Sequence, residues 1–247
     1  VISRDDLVAL TKLMVTGTDT EVGKTLVSAG LCAWRASKGL PVRALKPVES
    51  GTQDNGGTPA DAALLARCTG QPRPQDCNVV ALAEPLAPVL AARREGIEID
   101  LQRLDARFSE LRAEPGALVV EGVGGALVEV TEGVTVADLA ARWHLPTLVV
   151  AANRLGCLSH SLLTVEALEG RDVPVIGVVL NTVCAGEPGL AEESNIEELA
   201  RLLPRSAPLL GTIPFIPEDA RDKPEALALA TSELAGILWS AELESAR

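Results

Sequence analysis

At 247 residues with 47% apolar side chains, the chain has material for one large α/β core and does not require two. Its formal net charge is −12 and its 22 Lys and Arg residues are scattered, which disfavours a nucleic-acid partner and leaves any polyanionic ligand to find positive charge locally. The five cysteines are odd in number and form no C-x-x-C pair, which argues for a reducing cytoplasm, and no stretch reaches transmembrane length.

Residues 1–12, with Arg4, Asp5 and Asp6 near the start, have no apolar core of leader length and read as an N-terminal extension of a single domain covering residues 1–247. Leu13 to Thr16 is a short apolar run, predicted as a buried strand. It leads through Gly17-Thr18-Asp19-Thr20-Glu21-Val22-Gly23-Lys24-Thr25 into a helix predicted over Lys24 to Lys38 and closed by Gly39. Strand, glycine-flanked loop and helix in this order form a nucleoside-triphosphate site in outline: backbone N–H groups and the helix dipole receive phosphate. Lys24 would reach the β and γ phosphates, and the Thr25 hydroxyl suits Mg²⁺. The loop is a variant, because Thr18 rather than Gly17 stands where G-x-x-x-x-G-K-[ST] has its first glycine. The bland alternative is a strand-to-helix turn with a solvated lysine.

A second strand, Val42 to Lys46, is followed by Pro47-Val48-Glu49-Ser50-Gly51, placing a lysine and a serine beside the phosphate loop. Lys46 could neutralise charge on a transferring phosphoryl group or be a solvated strand-end lysine. Asp61 opens a helix predicted over Ala60 to Thr69, as a helix-terminal acid or a metal carboxylate. Gln71 to Pro88 contains four prolines and no clear period, so it reads as a loop across one edge. After a helix at Leu101 to Arg112, the strand Ala117 to Glu121 ends in Glu121-Gly122-Val123-Gly124-Gly125. Glu121 is placed to hold Mg²⁺ directly or through water, and the glycines admit an anion to the backbone.

A helix at Val136 to Trp143 and a strand at Thr147 to Ala151 follow. Leu155-Gly156-Cys157-Leu158-Ser159-His160 then opens a helix read over Ser159 to Glu169, whose free N–H groups could bind a carboxylate. His160 reads as structural and His144 has no evident partner. Asn181 follows the strand Val175 to Leu180, where it could pair with a nucleobase edge or serve as a turn residue. A helix at Glu193 to Leu203 and a strand at Leu209 to Ile213 precede an alanine- and leucine-rich C-terminal helix, assigned to residues 225–247 and expected to pack on the sheet. The alternation predicts an α/β, P-loop NTPase-like fold, a mostly parallel sheet with helices on both faces and ligands outside the carboxyl ends of the strands.

Taken together, G-T-D-T-E-V-G-K-T, K-P-V-E-S-G, V-E-G-V-G-G, L-G-C-L-S-H and the strand ending in Asn181 resemble the dethiobiotin synthetase family, in the family's order from about Leu13 to Pro217. The resemblance implies ATP-dependent closure of a cyclic urea from 7,8-diaminopelargonate and CO₂ or bicarbonate, with Mg²⁺, by a cytoplasmic homodimer. It implies that Lys24 and Lys46 are catalytic, that Glu21, Val22, Gly23, Lys24, Thr25 and Leu26 cradle phosphates, and that Thr25, Asp61 and Glu121 hold the metal. Gly122, Val123 and Gly124 would line the nucleotide, and Asn181, Thr182, Pro214, Phe215 and Ile216 would contact its adenine side. Thr20, Ser50 and Gly124 would meet the diamine, whose carboxylate would be received by Cys157, Leu158 and Ser159 of the partner subunit. A rival of another class is a ParA/MinD-like P-loop ATPase switch acting through partners. Its signature lysine near the start of the loop is missing, since Thr18 and Asp19 stand there.

Overall fold

Val15 of the first strand is flanked on one side by Glu121 and on the other by Leu148, so the strand that launches the glycine loop lies in the interior of a sheet. Such a strand is covered on both faces, which is why it reads as an unbroken apolar run. The computed structural model describes residues 10–245. Its strands are β1 (Lys12–Gly17), β2 (Val42–Ser50), β3 (Asn78–Leu82), β4 (Ala117–Gly125), β5 (Glu129–Thr131), β6 (Val134–Thr135), β7 (Thr147–Ala152), β8 (Val175–Asn181) and β9 (Leu209–Ile213). Seven of them form a parallel sheet in the order β3-β2-β4-β1-β7-β8-β9, and β5 and β6 form a separate antiparallel pair. The chain builds outward from β1 in both directions, and the crevice beyond the ends of β4, β1 and β7 is where such a sheet takes ligands.

The helices are α1 (Lys24–Ser37), α2 (Ala60–Thr69), α3 (Pro88–Glu95), α4 (Leu101–Ala113), α5 (Val136–Arg142), α6 (Cys157–Glu169), α7 (Leu190–Leu202), α8 (Pro224–Ala230) and α9 (Ser232–Ser245). Successive β1 side chains feed opposite cores: Met14 packs with Leu104, Phe108 and Trp143 beneath α3 to α7, whereas Leu13 and Val15 pack with Leu31, Trp34 and Trp239 beneath α1, α2, α8 and α9. Stacked pairs anchor both layers, Phe108 on Trp143 at 4.5 Å and Trp34 on Trp239 at 6.2 Å. None of the helices among the described residues is long and apolar enough to cross a membrane.

Three expectations are corrected. The segment from Gln71 to Pro88 is not wholly loop, because Asn78–Leu82 forms the edge strand β3 beside β2. Its prolines flank the strand and leave its ladder donors intact. The C-terminal segment is two helices with Thr231 between them: α8 lies against α1, and α9 packs on the sheet at β9 as expected. Gly30 makes that approach possible: a Cβ there would stand 2.7 Å from the Leu227 carbonyl oxygen. Finally, β2 and β4 continue to Ser50 and Gly125, so Lys46 and Glu121 lie within strands and not at their ends. Residues 1–9 and 246–247 of the predicted extension and tail lie outside the described residues, and Lys12 already belongs to β1.

Candidate active site

Between β1 and α1 the chain turns through two left-handed residues, Glu21 (φ 56°) and Gly23 (φ 94°). Gly23 is required twice over, for its φ and because a Cβ would lie 2.0 Å from the Asn181 Nδ2. It caps α1 without a side-chain hydrogen bond, so no side chain competes with an anion for the first N–H groups of the helix. Lys24 is buried and donates to the Asp19 carbonyl at 2.8 Å, closing the loop on itself. Burial, and then the neighbouring Lys46 ammonium, lower the Lys24 pKa to about 8.

Behind the loop, α1, α2, β2 and β4 deliver four polar side chains to one point. The Thr25 hydroxyl donates to Glu121 Oε1 at 2.7 Å. Lys46 Nζ lies 2.6 Å from the same oxygen, 2.7 Å from Asp61 Oδ2 and 3.2 Å from the Gly122 carbonyl, so its three protons all have acceptors. Burial opposes the charge on Lys46, but Asp61 and Glu121 outweigh it and hold the ammonium firmly protonated, its pKa above the ordinary lysine value. Asp61 is likewise kept below the usual carboxylate range despite desolvation, by the Lys46 charge and the hydrogen bond from Lys46.

Glu121 Oε2 is buried with no hydrogen-bond partner. An orphaned carboxylate oxygen beside a hydroxyl and a second carboxylate is a hard-oxygen set of the kind Mg²⁺ prefers. Among the described residues no group of three or more His, Cys, Asp or Glu could hold a metal. A metal here would therefore draw its remaining ligands from phosphate and water, as magnesium in nucleotide sites does.

Ser50 ends β2, and the next residue, Gly51, is left-handed at φ 83° and donates to the Glu84 carbonyl at 3.0 Å. Gly122, Val123 and Gly124 run along the end of β4, with Gly124 at φ 62°, while Thr20 is exposed on the loop. Asn181 is buried, donates from Nδ2 to the Val22 carbonyl at 3.0 Å, and has no partner for Oδ1. It pairs in register with Ile213, and Thr182 N–H donates to the Ile213 carbonyl at 3.0 Å, so Asn181, Thr182 and Pro214 to Ile216 converge beside the loop. Arg221 fastens that segment, donating to the Ile216 carbonyl and lying 5.8 Å from the Phe215 ring centroid.

Cys157, Leu158 and Ser159 begin α6 after Gly156 (φ 96°), again with no side-chain cap. The Cys157 side chain is buried and its thiol pKa is raised by desolvation, so the segment offers backbone and not a thiolate. These residues do not join the Lys46 group; Arg154, just before them, reaches Asp19 of the loop at 3.5 Å. Asn195 of α7 pins this turn, donating to Asn153 Oδ1 at 2.9 Å and to the Arg154 carbonyl at 3.2 Å.

Sequence reasoning assigned no role to Glu49, Arg154 or Asn195. Glu49 is buried and accepts from the Asp61 and Ala62 N–H groups at 2.8 and 3.0 Å. Desolvation, then the nearby Asp61 charge, raise its pKa to about 7. Its one signal was position, three residues beyond Lys46 in K-P-V-E-S-G.

A protein-family model described as an AAA domain matches residues 11–222. ATP-dependent dethiobiotin synthetase BioD of Sphingopyxis alaskensis is 43% identical over 203 residues, 81% of this chain and 91% of the relative. The protein of the same name from Anaeromyxobacter dehalogenans is 43% identical over 85% of this chain and 92% of its own length. That of Halalkalibacterium halodurans is 32% identical over 86% and 88%. Among solved structures, the MinD cell division protein of Aquifex aeolicus superposes with a TM-score of 0.56 at 13% identity, covering 95% of this chain and 97% of that one. A ParA family ATPase of Chlorobium tepidum gives 0.51 at 14% identity, covering 91% and 90%. At such identities the two structures speak to the fold, which is of the P-loop NTPase type.

Proposed function

The chain belongs to the family of ATP-dependent dethiobiotin synthetases, and from that premise we propose that it closes 7,8-diaminopelargonate and CO₂ into the cyclic urea of dethiobiotin, releasing ADP and phosphate. The enzyme is thus an ATP-dependent cyclo-ligase of biotin biosynthesis. The observation that carries the reading is the meeting of Thr25, Lys46, Asp61 and Glu121 behind the glycine loop.

The carbamate formed from CO₂ and one amine is a poor electrophile until its oxygen takes the γ-phosphoryl group from ATP. That oxygen attacks phosphorus, the bond to ADP breaks, and the second amine then attacks the carbamoyl carbon, expels phosphate and loses a proton as the ring closes. The loop amides and Lys24 hold the phosphates, exchanging the Asp19 carbonyl for phosphate oxygen. Lys46 supplies fixed positive charge where the phosphoryl oxygens and carbamate approach, and no acid–base dyad is needed. Thr25, Asp61 and Glu121 would hold Mg²⁺, which supplies charge neutralisation at the phosphates. The orphaned Asn181 Oδ1 is an acceptor suited to an adenine amino group, and Ser50, Thr20 and Gly124 would meet the diamine.

A cytoplasmic homodimer of single-domain subunits completes the proposal. It is supported by the five free cysteines and by the exposure of Leu155 (85%) just before α6, Leu163 (60%) within it and Leu190 (87%) at the start of α7. The test is incubation with diamine, bicarbonate, ATP and Mg²⁺, with mass spectrometry of the product. Formation of the cyclic urea and one phosphate per ring is expected; ATP turnover indifferent to the diamine, without ring product, would return the chain to the switch class.

A further inference from the structure

The N-cap residue of helix α2 is Pro59, whose side chain can accept nothing, so the first N–H groups of the helix receive no cap from their own segment. Glu49, on the neighbouring strand β2, fills the vacancy. Its two carboxylate oxygens each take one N–H, that of Asp61 at 2.8 Å and that of Ala62 at 3.0 Å, at the second and third helical positions where caps ordinarily act. The side chain is only 6% exposed, and a buried carboxylate set beside the Asp61 carboxylate is a costly choice for capping alone. Serine or aspartate at position 59 would cap the helix locally.

What the arrangement achieves is placement. Asp61 is gripped at its backbone by Glu49 and at its carboxylate by Lys46, at 2.7 Å, and both grips come from one strand only three residues apart. A shift of α2 along its axis would separate Asp61 from Lys46 and Thr25 together. We propose that Glu49 is a positioning residue of the active site, capping α2 from β2 so that Asp61 stays in register with Lys46 and the phosphate loop. The inference rests on the reading of Asp61 as part of the reaction site.

The experiment is a double-mutant cycle on ring formation with Glu49→Gln and Asp61→Asn, with Glu49→Ala as a more severe variant. Gln keeps one acceptor and turns a donor toward the other N–H, so Glu49→Gln should lower kcat on the order of tenfold while KM for ATP changes by less than about twofold, and Glu49→Ala should cost more. Because Glu49 acts through Asp61, the double variant should be no slower than Asp61→Asn alone; kcat losses that multiply would overturn the proposal. A KM rise with kcat unchanged would overturn it as well. Hydrogen exchange in the unaltered protein tests the cap independently of folding of the variants and of the reaction. Amides of Asp61 and Ala62 slowed on the order of a hundredfold relative to an open helix start support it, and exchange at the open rate overturns it. If the unaltered protein makes no cyclic urea, the functional reading fails while the exchange result still judges the cap.

Discussion

Lys46 is 2% exposed and spends every proton on protein acceptors, two of them carboxylates that also border the phosphate loop. Its charge is therefore fixed in place before any phosphate arrives, the condition under which electrostatic stabilisation costs no reorganisation during reaction. Lys46→Gln should lower kcat by about a hundredfold and alter nucleotide affinity little, whereas Lys24→Gln should damage both. Single-turnover rates beside nucleotide titrations check this; equal loss of nucleotide binding in the two variants, with Lys46→Gln chemistry intact at saturation, would make Lys46 a ground-state ligand. Lys24, Thr25, Lys46 and Glu121 could be singled out as candidates because their motifs sit at or just beyond apolar runs in the right order. Glu49 was not, since a glutamate just past an apolar run is commonplace and its hydrogen bonds depend on a helix beginning eleven residues later.

At the scale of elements, α4 and α5 are joined through Asp105, which accepts from Arg142 at 2.6 Å and from the Trp143 indole at 2.8 Å while Trp143 stacks on Phe108. The Arg142 hydrogen bond leads, against desolvation, in holding the Asp105 carboxyl below the usual carboxylate range, with Trp143 assisting. A depressed folded pKa means stability that is complete above the unfolded value and is lost as pH falls through the folded one. Asp105→Asn should thus cost about 1 kcal/mol at pH 7, discounted for partial exposure, and the gap from the unaltered protein should close as the pH falls through the depressed folded value into strong acid. Urea unfolding at pH 7 and in strong acid measures it; a gap that persisted in acid would assign the loss to packing instead. The same scale explains β3: five residues with mixed burial on an edge lack the continuous apolar run that announced the interior strands.

For the whole molecule, the exposed leucines Leu155, Leu163 and Leu190 lie just before α6, within α6 and at the start of α7, outside both apolar cores. A two-fold interface through this face would be isologous and would bring one subunit's α6 toward the other's site. Sedimentation should give a dimer at assay concentration, and Leu163→Asp should yield monomers with reduced ring formation. A fully active monomer would exclude shared sites.

The interior strands, most of the helices and the glycine-flanked loop with its lysine were legible in the sequence alone, because local chemistry suffices: apolar runs demand burial, and a glycine loop running into a helix start is an anion cradle in outline. The order β3-β2-β4-β1-β7-β8-β9 was decided only in three dimensions, since parallel strands pair across long crossovers that leave no mark on neighbouring residues. The same holds for the convergence of Thr25, Asp61, Glu121 and Lys46: the register of β2 against β4 brings Glu121 to the Lys46 ammonium, and the packing of the α2 start on β2 brings Asp61, sixty residues before Glu121 in the chain, to the same group. Whether Asp61 is only a helix-terminal acid could not be read from its place in the chain. In three dimensions its carboxylate meets Lys46 at 2.7 Å, and the N–H groups that open its helix are taken by Glu49 of β2, the strand that also carries Lys46.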